Sequence, residues 1–147
     1  MLQRIIDIKL MAFIIKLMDS RYNVTIRSNA VLAVSMLTYH EVLFQELISN
    51  GVIDTIMEIC MDPFAEISVK RFSTLALVHF ALSKESIQLL LSKGIMNLFN
   101  TLTNIENVQI QTNVSWIFLA LCNNGITGKQ MLHNGITRDM FLVSCNP

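Results

Sequence analysis

The sequence predicts an all-α fold: a solenoid of about three three-helix repeats and a truncated fourth, forming a single domain over residues 1–147. Three observations predict it. Gly51, Gly94 and Gly135 stand 43 and 41 residues apart, a spacing typical of stacked helical repeats. After each of them, apolar residues recur at three- and four-residue intervals, which places them on one face of a helix. A continuous apolar stretch also begins 21 residues before each glycine: AVLAVSML (30–37), STLALVHF (73–80) and VSWIFLAL (114–121).

Within a unit, the first element is a short amphipathic helix that the glycine closes: FQELISNG (44–51), QLLLSKG (88–94) and KQMLHNG (129–135). Glycine suits that stop because it enters the left-handed conformation without a Cβ penalty. An earlier copy, QRIIDIK (3–9), has Lys9 in the glycine slot, a poor fit. The second element follows as LMAFIIKLM (10–18), VIDTIMEIC (52–60), IMNLFNTL (95–102) and ITRDMFLV (136–143). Breakers come next: Asp19-Ser20, Asp62-Pro63, Asn104 and Asn146-Pro147. Pro63 suits a first helical turn, and Asp62 or Asn104 suits an N-cap. The third element is the long apolar stretch, which needs cover on most sides and finds it in neighbouring units. Most methionines, Met11, Met18, Met57 and Met96 among them, fall in these patterns and read as core.

Three helices in about 42 residues, the glycine between the first two, and a third helix of the AVLAVSML kind resemble the armadillo repeat, whose third helix reads roughly A-x-W-A-L-x-N-L. HEAT repeats are the near alternative; the glycine and the three-helix count favour armadillo. The resemblance covers essentially the whole chain and implies a right-handed superhelix. Its units fall at about 1–39, 40–82 and 83–124, with a partial unit at 125–147. The sequence stops where the fourth long helix is due, so the expectation is a piece of a longer array, or an edge covered by a partner or a second copy.

Eleven basic and eleven acidic side chains cancel, so no global field draws the chain to nucleic acid or an anionic membrane. The distribution is uneven. Residues 1–27 carry five bases and two acids, residues 28–69 six acids and no Lys or Arg, and residues 70–147 six bases and three acids. The acidic stretch reads as a solvated outer face ahead of the alternative, a docking site for a basic partner. Only Lys70-Arg71 sets two bases side by side, which argues against a nucleic-acid stripe. The N-terminal apolar run is broken by Arg4, Asp7, Lys9 and Lys16, unlike a signal peptide, and Val114 to Cys122 is too short to span a bilayer. Cys60, Cys122 and Cys145 are odd in number and too far apart for a metal-binding pair. Buried thiols in a reducing compartment are expected, the cytoplasm first and the nucleus as alternative. On that view the sequons at Asn23 and Asn113 are fortuitous.

Catalytic patterns are missing from the sequence. His40, His79 and His133 lack metalloprotease spacing, and NNGITGKQ (123–130) departs from a phosphate loop at Asn123 and Gln130. That segment suits a helix start instead, with Thr127 as cap and Gln130 reaching back. A non-enzymatic chain with no cofactor and no metal is expected.

What the resemblance implies is a groove lined by the third helices, which in the family holds an extended peptide. The motif's W and N slots fall on Leu32 and Met36, Leu75 and His79, and Trp116 and Ala120. One tryptophan is retained and no asparagine, so the ladder by which importin-α-like members hold basic peptides is absent. Nearby positions are Asn29, Phe72, Gln109 and Asn113, which makes the expected groove nearly neutral with an apolar floor and with Asn29 and Asn113 offering hydrogen bonds. Trp116 is either an exposed anchor or packed against the fourth unit; His79 is either a titrating groove residue or a satisfied structural one. The expected role is a scaffold or adaptor that binds an extended or helical segment of a protein partner, without nucleic acid or a membrane span. Alternatives are a structural subunit of a cytoskeletal or ciliary assembly, self-association through exposed ends, and an importin-α-like transport adaptor with a degenerate groove.

Overall fold

The structure is a computed structural model that describes residues 10–125. Among the described residues there are eight helices and no strand: α1 (Leu10–Leu17), α2 (Val24–Leu37), α3 (Glu41–Ser49), α4 (Val52–Met61), α5 (Ile67–Leu82), α6 (Lys84–Ser92), α7 (Ile95–Leu102) and α8 (Val108–Asn123). The first-copy helix at 3–9 and the fourth unit, with Thr127, Gln130, His133, Gly135 and Cys145, lie outside the described residues.

The long helices α2, α5 and α8 stack side by side in chain order, and their two contacts are the most extensive among the described residues. Behind them α4 packs on both α5 and α7, while α3 and α6 bridge to the helices that follow them. The core runs continuously between the layers. Leu43, Ile56, Leu77, Phe80, Leu98 and Ile110 are each essentially inaccessible. Phe44 meets Phe80 at 5.2 Å between ring centroids, and Phe99 meets Phe118 edge-on at 5.8 Å, tying short helices to long ones in two successive units. Met11, Met18, Met57 and Met96 are buried, whereas Met36 faces solvent.

Two left-handed glycines set the period. Gly51 has φ 73° and Gly94 φ 81°, each joining one helix to the next with no long connector between them. A side chain at such a φ costs about 1–2 kcal/mol.

The long helices begin earlier than their apolar stretches. Asn23 caps α2 by accepting from the Ile26 amide, and Asn107 caps α8 by accepting from the Gln109 and Ile110 amides. Asn104, expected as that cap, donates instead to the Asn100 carbonyl within the turn after α7. Pro63 precedes α5 rather than entering it: Asp62 ends α4, its carboxylate accepts from the Phe64 amide, and its carbonyl closes a turn with Ala65. The first turns of α2 and α5 bury polar side chains. Arg27 is 5% exposed and Lys70 4%, at equivalent positions in successive units. Arg27 donates to the Met18 carbonyl (3.2 Å) and pairs with Glu66 (2.8 Å), which anchors the N-terminal end of α2 to that of α5.

Candidate protein-binding groove

The solvent-facing rows of α2, α5 and α8 lie in register because the three helices share one spacing and one stacking direction. On α2, Asn29 and Met36 are exposed and Leu32 is half-buried; on α5, Phe72, Leu75 and His79 are half-buried; on α8, Asn113 is half-buried. Trp116 is 53% exposed, and its other expected neighbour, the fourth unit, lies outside the described residues. Ile117, Phe118 and Leu121 on the same helix turn inward. Ala120 is covered at 4% exposure, and with no atoms beyond Cβ it offers a ligand nothing; its expected place on the surface is corrected.

Between α5 and α8 the face dips into a cavity of about 260 Å³ lined by Arg71, Phe72, Leu75, Gln109, Thr112 and Asn113. The Arg71 guanidinium lies over the Phe72 ring, 4.7 Å from its centroid. Half of the Asn113 amide is used within the fold: Nδ2 donates across the seam to the Arg71 carbonyl (3.2 Å) and to Thr74 Oγ1 (2.9 Å). The cavity wall is thereby stitched from one unit to the next. Sequence reasoning missed Arg71 and Thr112 as lining residues. The signal was present, since Ser28, Arg71 and Thr112 occupy one repeat position, but adding up charges does not say which face a charge is on. Arg71 puts one positive charge at this cavity.

At the other end of the face, His79 is a satisfied structural residue. Its Nδ1 lies 2.9 Å from the Ser35 carbonyl and 2.8 Å from Thr38 Oγ1, and its Nε2 lies 2.9 Å from the Tyr39 hydroxyl. A carbonyl oxygen only accepts, so in the neutral ring Nδ1 carries the hydrogen and Nε2 accepts from Tyr39. Tyr39, 68% exposed, also leans on the imidazole at 4.5 Å between ring centroids.

Outside the groove, burial pushes the Cys60 thiol up to about 12, with the Lys70 ammonium pulling the other way. A neutral buried thiol is a poor nucleophile and a poor metal ligand. Among the described residues, no group of three His, Cys, Asp or Glu side chains could hold a metal ion, and no helix is long and apolar enough to cross a membrane.

No family model and no curated protein matches the sequence. Solved structures do. The designed armadillo repeat protein YIII(Dq)4CqI matches at 24% identity with a TM-score of 0.70, over 81% of this chain and 50% of the other. A computationally designed armadillo repeat protein for modular peptide recognition matches at 22% with a TM-score of 0.71, over the same shares. The designed protein YIII(Dq.V1)4CPAF, solved in complex with the peptide (KR)4, matches at 17% with a TM-score of 0.78, over 97% of this chain and 64% of the other. The class this fold defines is the armadillo-repeat solenoid. The chain spans about half the length of the first two of these designed arrays.

Proposed function

We propose that the chain is a non-enzymatic scaffold that binds a segment of a protein partner along the face of α2, α5 and α8. One observation carries the reading: three successive long helices present solvent-facing apolar side chains at one repeat position, Leu32, Leu75 and Trp116, and the tryptophan is 53% exposed. A large aromatic left half in water beside a cavity is the usual form of an interface anchor. Support also comes from the neighbour solved with (KR)4, an armadillo array with a peptide bound. Peptides selected by display against the protein should lose roughly 30-fold in affinity with Trp116→Ala, the equivalent of about 2 kcal/mol. The melting temperature should stay unchanged. Peptides that bind the variant equally well would place the site elsewhere, and collapse of the fold would make Trp116 a core residue. As the only tryptophan in the sequence, Trp116 also reports occupancy through its own fluorescence.

A further inference from the structure

We infer that the segment this groove takes is acidic, with an Asp or Glu side chain on Arg71 and a large apolar side chain close by against Leu75. This rests on the groove reading above and adds the chemistry of the occupant. The inventory of charge on the face is short. The three long helices carry three Lys or Arg residues and no Asp or Glu: Arg27, Lys70 and Arg71. Arg27 and Lys70 are buried, and Arg27 is already paired with Glu66. Arg71 alone reaches the cavity, and it is half-buried with no ion pair among the described residues.

The setting suits an anion. A guanidinium resting on an aromatic ring keeps its N–H edge available for acceptors in its own plane. A carboxylate is such an acceptor, planar and able to take two parallel hydrogen bonds. The Phe72 ring restricts the arginine before any ligand arrives, which lowers the ordering cost of binding. Asn113 holds the wall behind it through the Arg71 carbonyl and Thr74, so the cavity floor is fixed across the seam. Gln109 and Thr112 add polar groups at the rim, and Leu75, one turn along α5 from Arg71, supplies the apolar contact. An acidic side chain on Arg71 therefore sits beside an apolar contact at Leu75, and a basic side chain in its place would face a cation at close range.

Three labelled octapeptides test this by fluorescence anisotropy on the full chain: ESLSESLS, QSLSQSLS and KSLSKSLS. At low salt the acidic peptide should bind about tenfold more tightly than the neutral one, as one charge-assisted contact implies, and the basic peptide more weakly than both. Arg71→Gln should bring the acidic peptide down to the neutral level, and Arg71→Glu should reverse the order of acidic and basic. Arg71→Lys should keep the preference at reduced strength, since an ammonium lacks the planar fork. A wild-type chain that binds the basic peptide as tightly as the acidic one overturns the inference, as does an order that Arg71→Glu leaves unchanged. If that binding is still lost with Trp116→Ala, the groove reading stands without its acidic preference. Absence of binding by all three peptides overturns both.

Discussion

Converting Glu66 to Gln isolates the ion pair that joins the first two long helices. Arg27 is only 5% exposed, while the side chain of Glu66 is 45% exposed. A fully buried pair broken on one side costs about 3–5 kcal/mol, and an exposed pair about 0–1. This pair lies between those limits. The carboxylate is screened by water, but the guanidinium it serves cannot turn to solvent without leaving the Met18 carbonyl at 3.2 Å. The substituted amide would keep an acceptor oxygen and lose the charge, so the expected cost is about 1–2 kcal/mol. For a chain of this length that lowers the melting temperature by about 3–6 °C. In stacked repeats the loss belongs to one interface, so hydrogen exchange should quicken in α2 and stay unchanged in α8. Asp19→Asn is the control. The Arg21–Asp19 pair is 75% and 37% exposed and spans two residues, so its removal should leave both readouts where they were. Replacing Arg27 and Glu66 together by Met should recover most of the loss, because no buried charge is then left alone. A Glu66→Gln protein that melts and exchanges like the Asp19→Asn protein would refute the assignment of this pair as the inter-repeat anchor.

Two further outcomes are expected. The Ser73 hydroxyl is buried without a hydrogen-bond partner among the described residues, and the equivalent residue on α2 is Ala30. Ser73→Ala should therefore raise stability by about 1 kcal/mol in urea titration, and a loss of stability would show that the hydroxyl has a partner. Cys60 should resist iodoacetamide at pH 8 until the chain is unfolded in urea, with mass spectrometry locating the adduct. Its folded thiol titrates near 12 against an ordinary value of 9.0. The stability that follows from keeping it neutral is thus complete below pH 9 and is lost as pH rises toward 12. Fast alkylation of the native protein at pH 8 would contradict the burial.

How far the sequence could be read depended on what each residue does. Gly51 and Gly94 were legible because a left-handed backbone favours one residue type, and the short helices could be read forward from them. The long helices were legible only in their C-terminal portions. Their first turns carry Arg27, Ser28 and Lys70, polar residues that the fold nonetheless buries, so the apolar periodicity fails where the packing does not. Asn104 and Asn107 were both plausible caps, and only backbone geometry separates them. In the groove, the row of slots followed from the repeat period. Which slots reach solvent did not. Ala120 is covered because it is short, and His79 is engaged by Ser35, Thr38 and Tyr39 from the preceding unit, about 40 residues back in the chain, a pairing no local pattern announces.

The stitches between long helices bear on how this solenoid came to have its order of units. The α2–α5 seam is joined by Arg27 to Glu66, Ser28 to Ser68 (3.1 Å) and His79 to the end of α2; the α5–α8 seam is joined by Asn113 to Thr74 and the Arg71 carbonyl. One backbone arrangement is thus locked by two different keys. Exchanging the second and third units would set Ala120 where His79 now meets Ser35, leaving that carbonyl without its imidazole, and would put Gln109 where Ser68 now meets Ser28. The units are not modular parts. Each is cut to fit its own predecessor, so grafting this face onto another array requires moving a pair of adjacent long helices together with the seam between them.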